Sequence, residues 1–143
     1  IILGIDSILN MTSYKSRERA LSLTLQIAGR SGRKGFGEVL IQTKNVDFFK
    51  HYLNDYEKFI KNELTYRKDL YPPFVRLAKV IFSHKNALLA KRQLNKYVDI
   101  FQHISQQDVQ LVGFGECNVF KIANKYRYEL LLRSKNTKAL ISF

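Results

Sequence analysis

Cysteine, long apolar runs and phosphate-cradling loops are what this sequence lacks. Cys117 is its only cysteine, so the chain can form neither an internal disulfide nor a zinc site built from cysteines. No apolar stretch approaches the roughly 18 to 20 residues that span a bilayer. The Walker A pattern G-x-x-x-x-G-K-[ST] does not occur. We therefore expect no metal site and no membrane segment in this chain, and no nucleotide hydrolysis by it alone.

Acidic residues are also scarce, with 12 against 24 lysines and arginines and a net charge of +12. Residues 1–70 carry 12 basic and 8 acidic side chains, whereas residues 71–143 carry 12 basic and 4 acidic ones. An excess of positive charge favours a polyanionic partner, because each neutralised phosphate releases counterions. The second half is therefore the better candidate for contact with a nucleic-acid backbone, the alternative being a basic surface that is merely soluble.

The first residues read as a buried strand. Ile1 to Ile5 is a short apolar run rich in β-branched residues, as in central parallel strands. It lacks the basic segment and cleavage site of a signal peptide, and there is no initiator methionine, so we expect a cytoplasmic protein whose beginning is missing. Asp6 follows the strand and is a candidate site residue, or a turn or cap residue.

Periodicity predicts an α/β chain with a boundary at Tyr71-Pro72-Pro73-Phe74, since residues before proline avoid helix. Before the boundary it predicts a helix to Ala28, a strand and a second helix. After it the order is β-α-β-β-α, typical of a split βαβ, ferredoxin-like fold that lacks its last strand. The predicted elements before the boundary are helix 19–28, strand 37–43 and helix 47–70. Those after it are strand 75–83, helix 85–104, strands 109–114, 119–122 and 126–133, and helix 136–143.

The segment 26–33, QIAGRSGR, places two arginines three residues apart, each directly after a glycine. Glycine permits tight turns and close approach, and the guanidinium fork matches phosphate. The pattern indicates either a device that senses a polyphosphate or a helix ending in a turn with solvated arginines.

Basic and aromatic residues interleave near the end of the chain. Strand alternation places Lys125, Arg127 and Glu129 on one face and Tyr126, Tyr128 and Leu130 on the other. One face can then meet phosphates while the other fills the core. The candidate DNA contacts are Lys121, Lys125, Arg127 and Arg133, and a solvated sheet face is the alternative.

QIAGRSGR also resembles motif VI of superfamily 2 helicases, Q-x-x-G-R-x-G-R, at every fixed position. The flanking GEVLIQT and ELTYRKDLYPPFVRL resemble the primosomal protein N-prime family of replication-restart DNA helicases, and KYRYELLLR resembles a strand of that family's C-terminal domain. One departure is Glu129, where the family usually has glutamine. The resemblance implies that residues 1–46 end a RecA-like lobe, 47–70 form a connecting helix and 71–143 form a truncated DNA-binding domain.

In that family the motif's arginines reach ATP held by the other lobe, so the resemblance makes Arg30 and Arg33 arginine-finger candidates, with Gln26, Gly29 and Gly32 beside the nucleotide. It implies a 3′-to-5′ helicase that uses ATP and Mg²⁺ bound mainly by a missing lobe, and a zinc site elsewhere in the parent. The implied partners are branched DNA, single-strand-binding protein and primosome components, in a bacterial cytoplasm and near the nucleoid. The rival interpretation is a stand-alone basic nucleic-acid-binding module in which QIAGRSGR is only a turn.

Overall fold

The computed structural model describes residues 1–31, 37–103 and 108–142. The chain divides into two compact units, Ile1–Arg67 and Lys68–Phe143. In the described residues these hold six helices and three strands. Each unit has its own buried apolar cluster and is considered by itself.

The first unit is helical, with α1 (Ile5–Leu9), α2 (Ser16–Ser31), α3 (Val46–Tyr52) and α4 (Tyr56–Arg67). Its core has two adjoining parts. Ile2, Ile5, Ala20 and Phe49 form one, and Leu21, Tyr52 and Phe59 form the other. The buried residues of α2, at positions 20, 21 and 24, recur at helical spacing and explain why this run forms a helix.

Two strands predicted in this unit are not formed. Where we expected strands over 1–5 and 37–43, a single parallel bridge joins Ile2 to Ile41. Gly4 adopts a left-handed conformation at φ 70°, which ends the extended run and lets α1 begin at Ile5. The apolar run is buried at Ile2 and Ile5, but a short apolar run alone does not distinguish a strand from the start of a buried helix.

The single helix predicted over 47–70 is also wrong, because α3 and α4 are separate. Leu53, Asn54 and Asp55 interrupt it, and the Asp55 carboxylate accepts a hydrogen bond from the Lys58 backbone N–H at 2.9 Å. That bond is a helix cap, and caps favour a new helix start over continuation. The break turns Phe59 back onto Tyr52, with ring centroids 5.3 Å apart.

The second unit contains β1 (Arg76–His84), α5 (Ala87–His103), β2 (Gln110–Ile122), β3 (Lys125–Ser134) and α6 (Thr137–Ser142). The strands form an antiparallel sheet in the order β1-β3-β2. This is the split βαβ arrangement, in which β3 lies between two strands joined through a helix. The predicted β-α-β-β-α order is confirmed. The short strand candidates 109–114 and 119–122 are parts of one strand, whose register is irregular between Leu111 and Gly113 and between Glu116 and Lys121.

The core of this unit lies between the sheet and its helices. Leu130 and Leu132 of β3 pack against Ala90, Leu94 and Val98 of α5, and Ala139 and Leu140 of α6 join the same cluster. Both helices therefore cover one face of the sheet. We call the opposite face, defined by Lys125, Arg127, Glu129, Leu131 and Arg133 of β3, the outer face.

Candidate nucleotide and nucleic-acid contact sites

The last two turns of α2 carry the described part of the QIAGRSGR motif. Gln26, Gly29 and Arg30 are all exposed, and their i, i+3, i+4 spacing places them on one side of the helix. Ala20, Leu21 and Thr24 hold the other side in the core. Arg30 makes no hydrogen bond or ion pair with a described residue, so its guanidinium is available to an anion.

Gly32 and Arg33 lie outside the described residues. The residues on either side of that segment approach closely, because a Cβ built on Gly37 would lie 2.5 Å from the Ser31 carbonyl oxygen. Only glycine permits this approach without a shift of the backbone. The helix carries on through Gly29 to Ser31, so Gly29 does not end it as expected.

Asp6 serves a turn. Its carboxylate accepts hydrogen bonds from the Thr43 hydroxyl at 2.5 Å, the Lys44 backbone N–H at 2.7 Å and the Asn45 side-chain amide at 3.0 Å. The bond from Thr43, followed by those from Lys44 and Asn45, lowers the pKa of Asp6 below its ordinary value. Of the two roles open at the sequence level, the contacts favour the turn.

The alternation predicted for β3 is confirmed. Tyr128, Leu130 and Leu132 are buried, whereas Lys125 is exposed and Arg127 is half-buried on the outer face. Neither Lys125 nor Arg127 forms a hydrogen bond or ion pair with a described residue. Both cations are therefore free to meet a phosphate backbone.

Lys121 lies on the other side of the sheet. It pairs with Tyr126 in the β2–β3 register, and its ammonium nitrogen is 4.8 Å from the centre of the Tyr126 ring. Directly opposed residues of an antiparallel pair share a face, so Lys121 does not share the face of Lys125 and Arg127. Lys121 and Lys125 lie on either side of the hairpin tip, where Ala123 and Asn124 turn the chain with positive φ angles, and Arg127 follows two residues further along β3.

Arg133 is already engaged. Its Nε and Nη2 atoms donate to the Gln110 side-chain oxygen at 3.1 and 2.9 Å, and its Nη1 atom donates to the Leu70 carbonyl at 3.2 Å. These bonds tie β3 to β2 and to the segment before β1. The candidate DNA contact Arg133 is thus better placed to hold the unit together than to bind phosphate.

Sequence reasoning missed Lys79, which lies on the outer face opposite Leu131. Its ammonium group forms an ion pair with Glu129 at 2.8 Å. Glu129 also contributes to the environment of the buried Cys117, where burial, followed by a hydrogen bond to Glu129, raises the pKa of the thiol. Only the strand register brings these residues together, so no local pattern could have revealed them.

The described ranges contain no group of three or more His, Cys, Asp and Glu side chains that could hold a metal ion. Within the same ranges, no helix combines the length and apolar character required to cross a membrane.

Comparisons with known proteins agree with one another. Residues 68–142, just over half of the chain, match the family described as "Primosomal protein N C-terminal domain". The chain is 43% identical over 141 residues to the replication restart protein PriA of Helicobacter pylori, covering 99% of this chain and 23% of that protein. It is 33% identical to the protein of the same name from Borreliella burgdorferi, covering 97% and 22%, and 28% identical to that of Bacillus subtilis, covering 97% and 18%. The chain thus spans about a fifth to a quarter of the length of these relatives.

Proposed function

The chain belongs to the primosomal protein N family, and from that premise we propose that it forms part of an ATP-dependent 3′-to-5′ DNA helicase that restarts replication at branched forks. In this proposal the first unit is the end of a RecA-like lobe. The second unit is the DNA-contacting C-terminal domain. The fragment contributes arginines and DNA contacts to a site that the rest of the protein completes.

The single observation that carries the proposal is the exposed Gln26–Gly29–Arg30 side of α2. A helix packed through Ala20, Leu21 and Thr24 holds its exposed end in a defined orientation. A guanidinium without an internal partner at that end suits the charge that develops on a transferred phosphoryl group. ATP with Mg²⁺ supplies that phosphoryl group and is held mainly by another lobe. Arg33 takes the second arginine-finger role through its place in the motif.

On the nucleic-acid side, the proposal rests on Lys121, Lys125 and Arg127 around the hairpin tip. Cations on both sides of a projecting turn can each approach a phosphate, and such contacts give affinity without reading sequence. This suits a protein that binds forks by shape. Single-strand-binding protein and other primosome components are the proposed protein partners, in a bacterial cytoplasm and near the nucleoid.

The test uses a full-length PriA protein that carries this chain, with Arg30→Ala and Arg33→Ala made separately. Hydrolysis of ATP stimulated by DNA is measured beside fork binding. We expect each substitution to lower hydrolysis by about 10³-fold or more while fork binding is kept, as for loss of an arginine finger. Lys138→Ala, a change of an exposed cation in α6, is the control. Unchanged hydrolysis in both arginine variants would reject the finger role and leave a basic binding module as the better account.

A further inference from the structure

Four charged side chains join α2 to α4, and we call them the α2–α4 ion cluster: Arg17, Glu18, Glu63 and Arg67. The Arg67 Nη2 atom lies 2.8 Å from the Glu18 carboxylate and 3.2 Å from the Glu63 carboxylate. Arg17 Nε approaches the second oxygen of Glu63 at 3.3 Å. Arg67 thus bridges two carboxylates on two helices.

The centre of the cluster is buried. Glu63 is 3% exposed and Arg67 is 9% exposed. The Arg67 guanidinium also lies over the Tyr14 ring, 5.2 Å from its centre, and donates to the Tyr14 carbonyl at 3.4 Å. Burial alone would lower the pKa of Arg67, but the hydrogen bond and charge of Glu18, followed by those of Glu63, raise it. The cation therefore stays charged in an enclosed place.

A buried ion pair of this kind is a poor source of stability. The free energy needed to remove two charges from water is about as large as the free energy of their attraction. Replacing such a pair with apolar residues therefore often leaves the stability of the protein unchanged or raises it. Here Glu63 Oε1 and Arg67 Nε also lack a hydrogen-bond partner among the described residues. What such pairs can supply instead is a unique register between the elements they join.

The element held by this cluster is the one that carries Arg30. Glu18 lies in the first turn of α2 and Arg30 in the last. Twelve residues at about 1.5 Å each separate them by roughly 18 Å along one continuous helix. A rotation or shift of the first turn is therefore transmitted to Arg30, and a displacement of about 1 Å at a reacting centre can cost about 10²-fold in rate.

We propose that Arg67 is a positioning residue for phosphoryl transfer: it fixes the rotation of α2 so that Arg30 points at the nucleotide. Arg67 acts through Arg30 and touches no substrate itself. This inference rests on the proposed function, because it needs Arg30 to serve as an arginine finger.

The test replaces the buried pair with apolar residues of similar size, Glu63→Leu with Arg67→Met, in a full-length PriA protein that carries this chain. Melting temperature, fork binding, and the kcat and KM for ATP are measured. We expect the melting temperature and fork binding to be kept, KM to change by less than about threefold, and kcat to fall at least 10-fold. Asp69→Asn, which breaks an exposed ion pair with Lys135, is the matched control and should leave kcat unchanged.

A double-mutant cycle then separates positioning from general damage. If Arg67 acts through Arg30, adding Arg30→Ala to the apolar pair should give the same kcat as Arg30→Ala alone. The inference would be overturned if the kcat losses of the apolar pair and of Arg30→Ala multiplied. It would also be overturned if the apolar pair left kcat unchanged. Should the apolar pair not fold, Arg67→Lys is used in the same cycle, since it keeps the charge but loses the fork that bridges Glu18 and Glu63. If Arg30→Ala leaves kcat unchanged, Arg30 is not the finger that this inference needs, and if Arg33→Ala leaves it unchanged as well, the proposed function itself has failed.

Discussion

The salt dependence of the proposed DNA binding tests which cations of the second unit contact phosphates. Each neutralised phosphate contributes about −0.9 to the slope of log K against log salt. Lys121, Lys125 and Arg127 are free of ion pairs with described residues, so three contacts predict a slope of about −2.7. Affinity for duplex DNA should then fall about 40-fold between 50 and 200 mM KCl.

The perturbations are Lys125→Ala and Arg133→Ala, compared in the whole chain by fluorescence anisotropy of a labelled duplex across that range of salt. Removing Lys125 should reduce the slope to about −1.8. Removing Arg133 should leave the slope unchanged and lower the melting temperature, because its donors are held by Gln110 and Leu70. If Arg133→Ala flattened the slope as much as Lys125→Ala does, Arg133 would contact phosphate in spite of its internal hydrogen bonds, contrary to this prediction.

Three further predictions concern the folded state. Leu130→Ala should destabilise the second unit by about 2 to 5 kcal/mol, because this side chain is fully buried; urea unfolding measures it, and a loss no larger than that of the exposed control Ile81→Ala would contradict the core assignment. Because the native pKa of Asp6 is lowered, the ionised carboxylate contributes to the free energy of unfolding above the ordinary value of 3.8, and this contribution is lost as pH falls through the lower native value. Asp6→Asn should therefore lower the free energy of unfolding at pH 7 and leave it equal to that of the parent near pH 2. A difference between the two proteins that stays constant with pH would contradict this linkage. The Cys117 thiol, buried and with a raised pKa, should react with a disulfide reagent at pH 8 far more slowly in the native chain than in urea, and equal rates would show that the site is open.

Much of the second unit could be predicted from sequence because its elements are regular. The core positions of β3 alternate with period two, and those of α5 recur at helical spacing, so each pattern identifies both the element and its buried side. The bulged course of β2 could not be predicted, since the break around Gly113 and Gly115 reads equally as a turn between two strands.

The first unit resisted prediction for local reasons. Its short apolar runs at 1–5 and 37–43 fit strands, but a left-handed glycine and a single bridge decide otherwise. The apolar pattern over 47–70 has no break in the sequence, but Asp55 caps a second helix and so divides it. The packing of Phe59 in the core stabilises this second helix.

Some of the candidate sites could likewise be predicted from the sequence, and others could not. The motif at 26–33 could be found because it is contiguous, and a helix keeps Gln26, Gly29 and Arg30 on one side. The α2–α4 ion cluster could not, since Glu18 and Arg67 are 49 residues apart in the sequence and come into contact only through folding. Arg133 is a candidate because basic and aromatic residues interleave there, and this local pattern does not reveal that its donors are bonded to Gln110 and Leu70.

The ion pair between Lys79 and Glu129 has a consequence for the electrostatic potential of the outer face. A carboxylate on the outer face neutralises one of its cations and repels phosphates that approach its neighbours. A face of mixed charge has a lower positive potential than a purely basic one of the same size. Glu129 therefore confines the positive potential of the outer face to the end of β3 that carries Lys125 and Arg127.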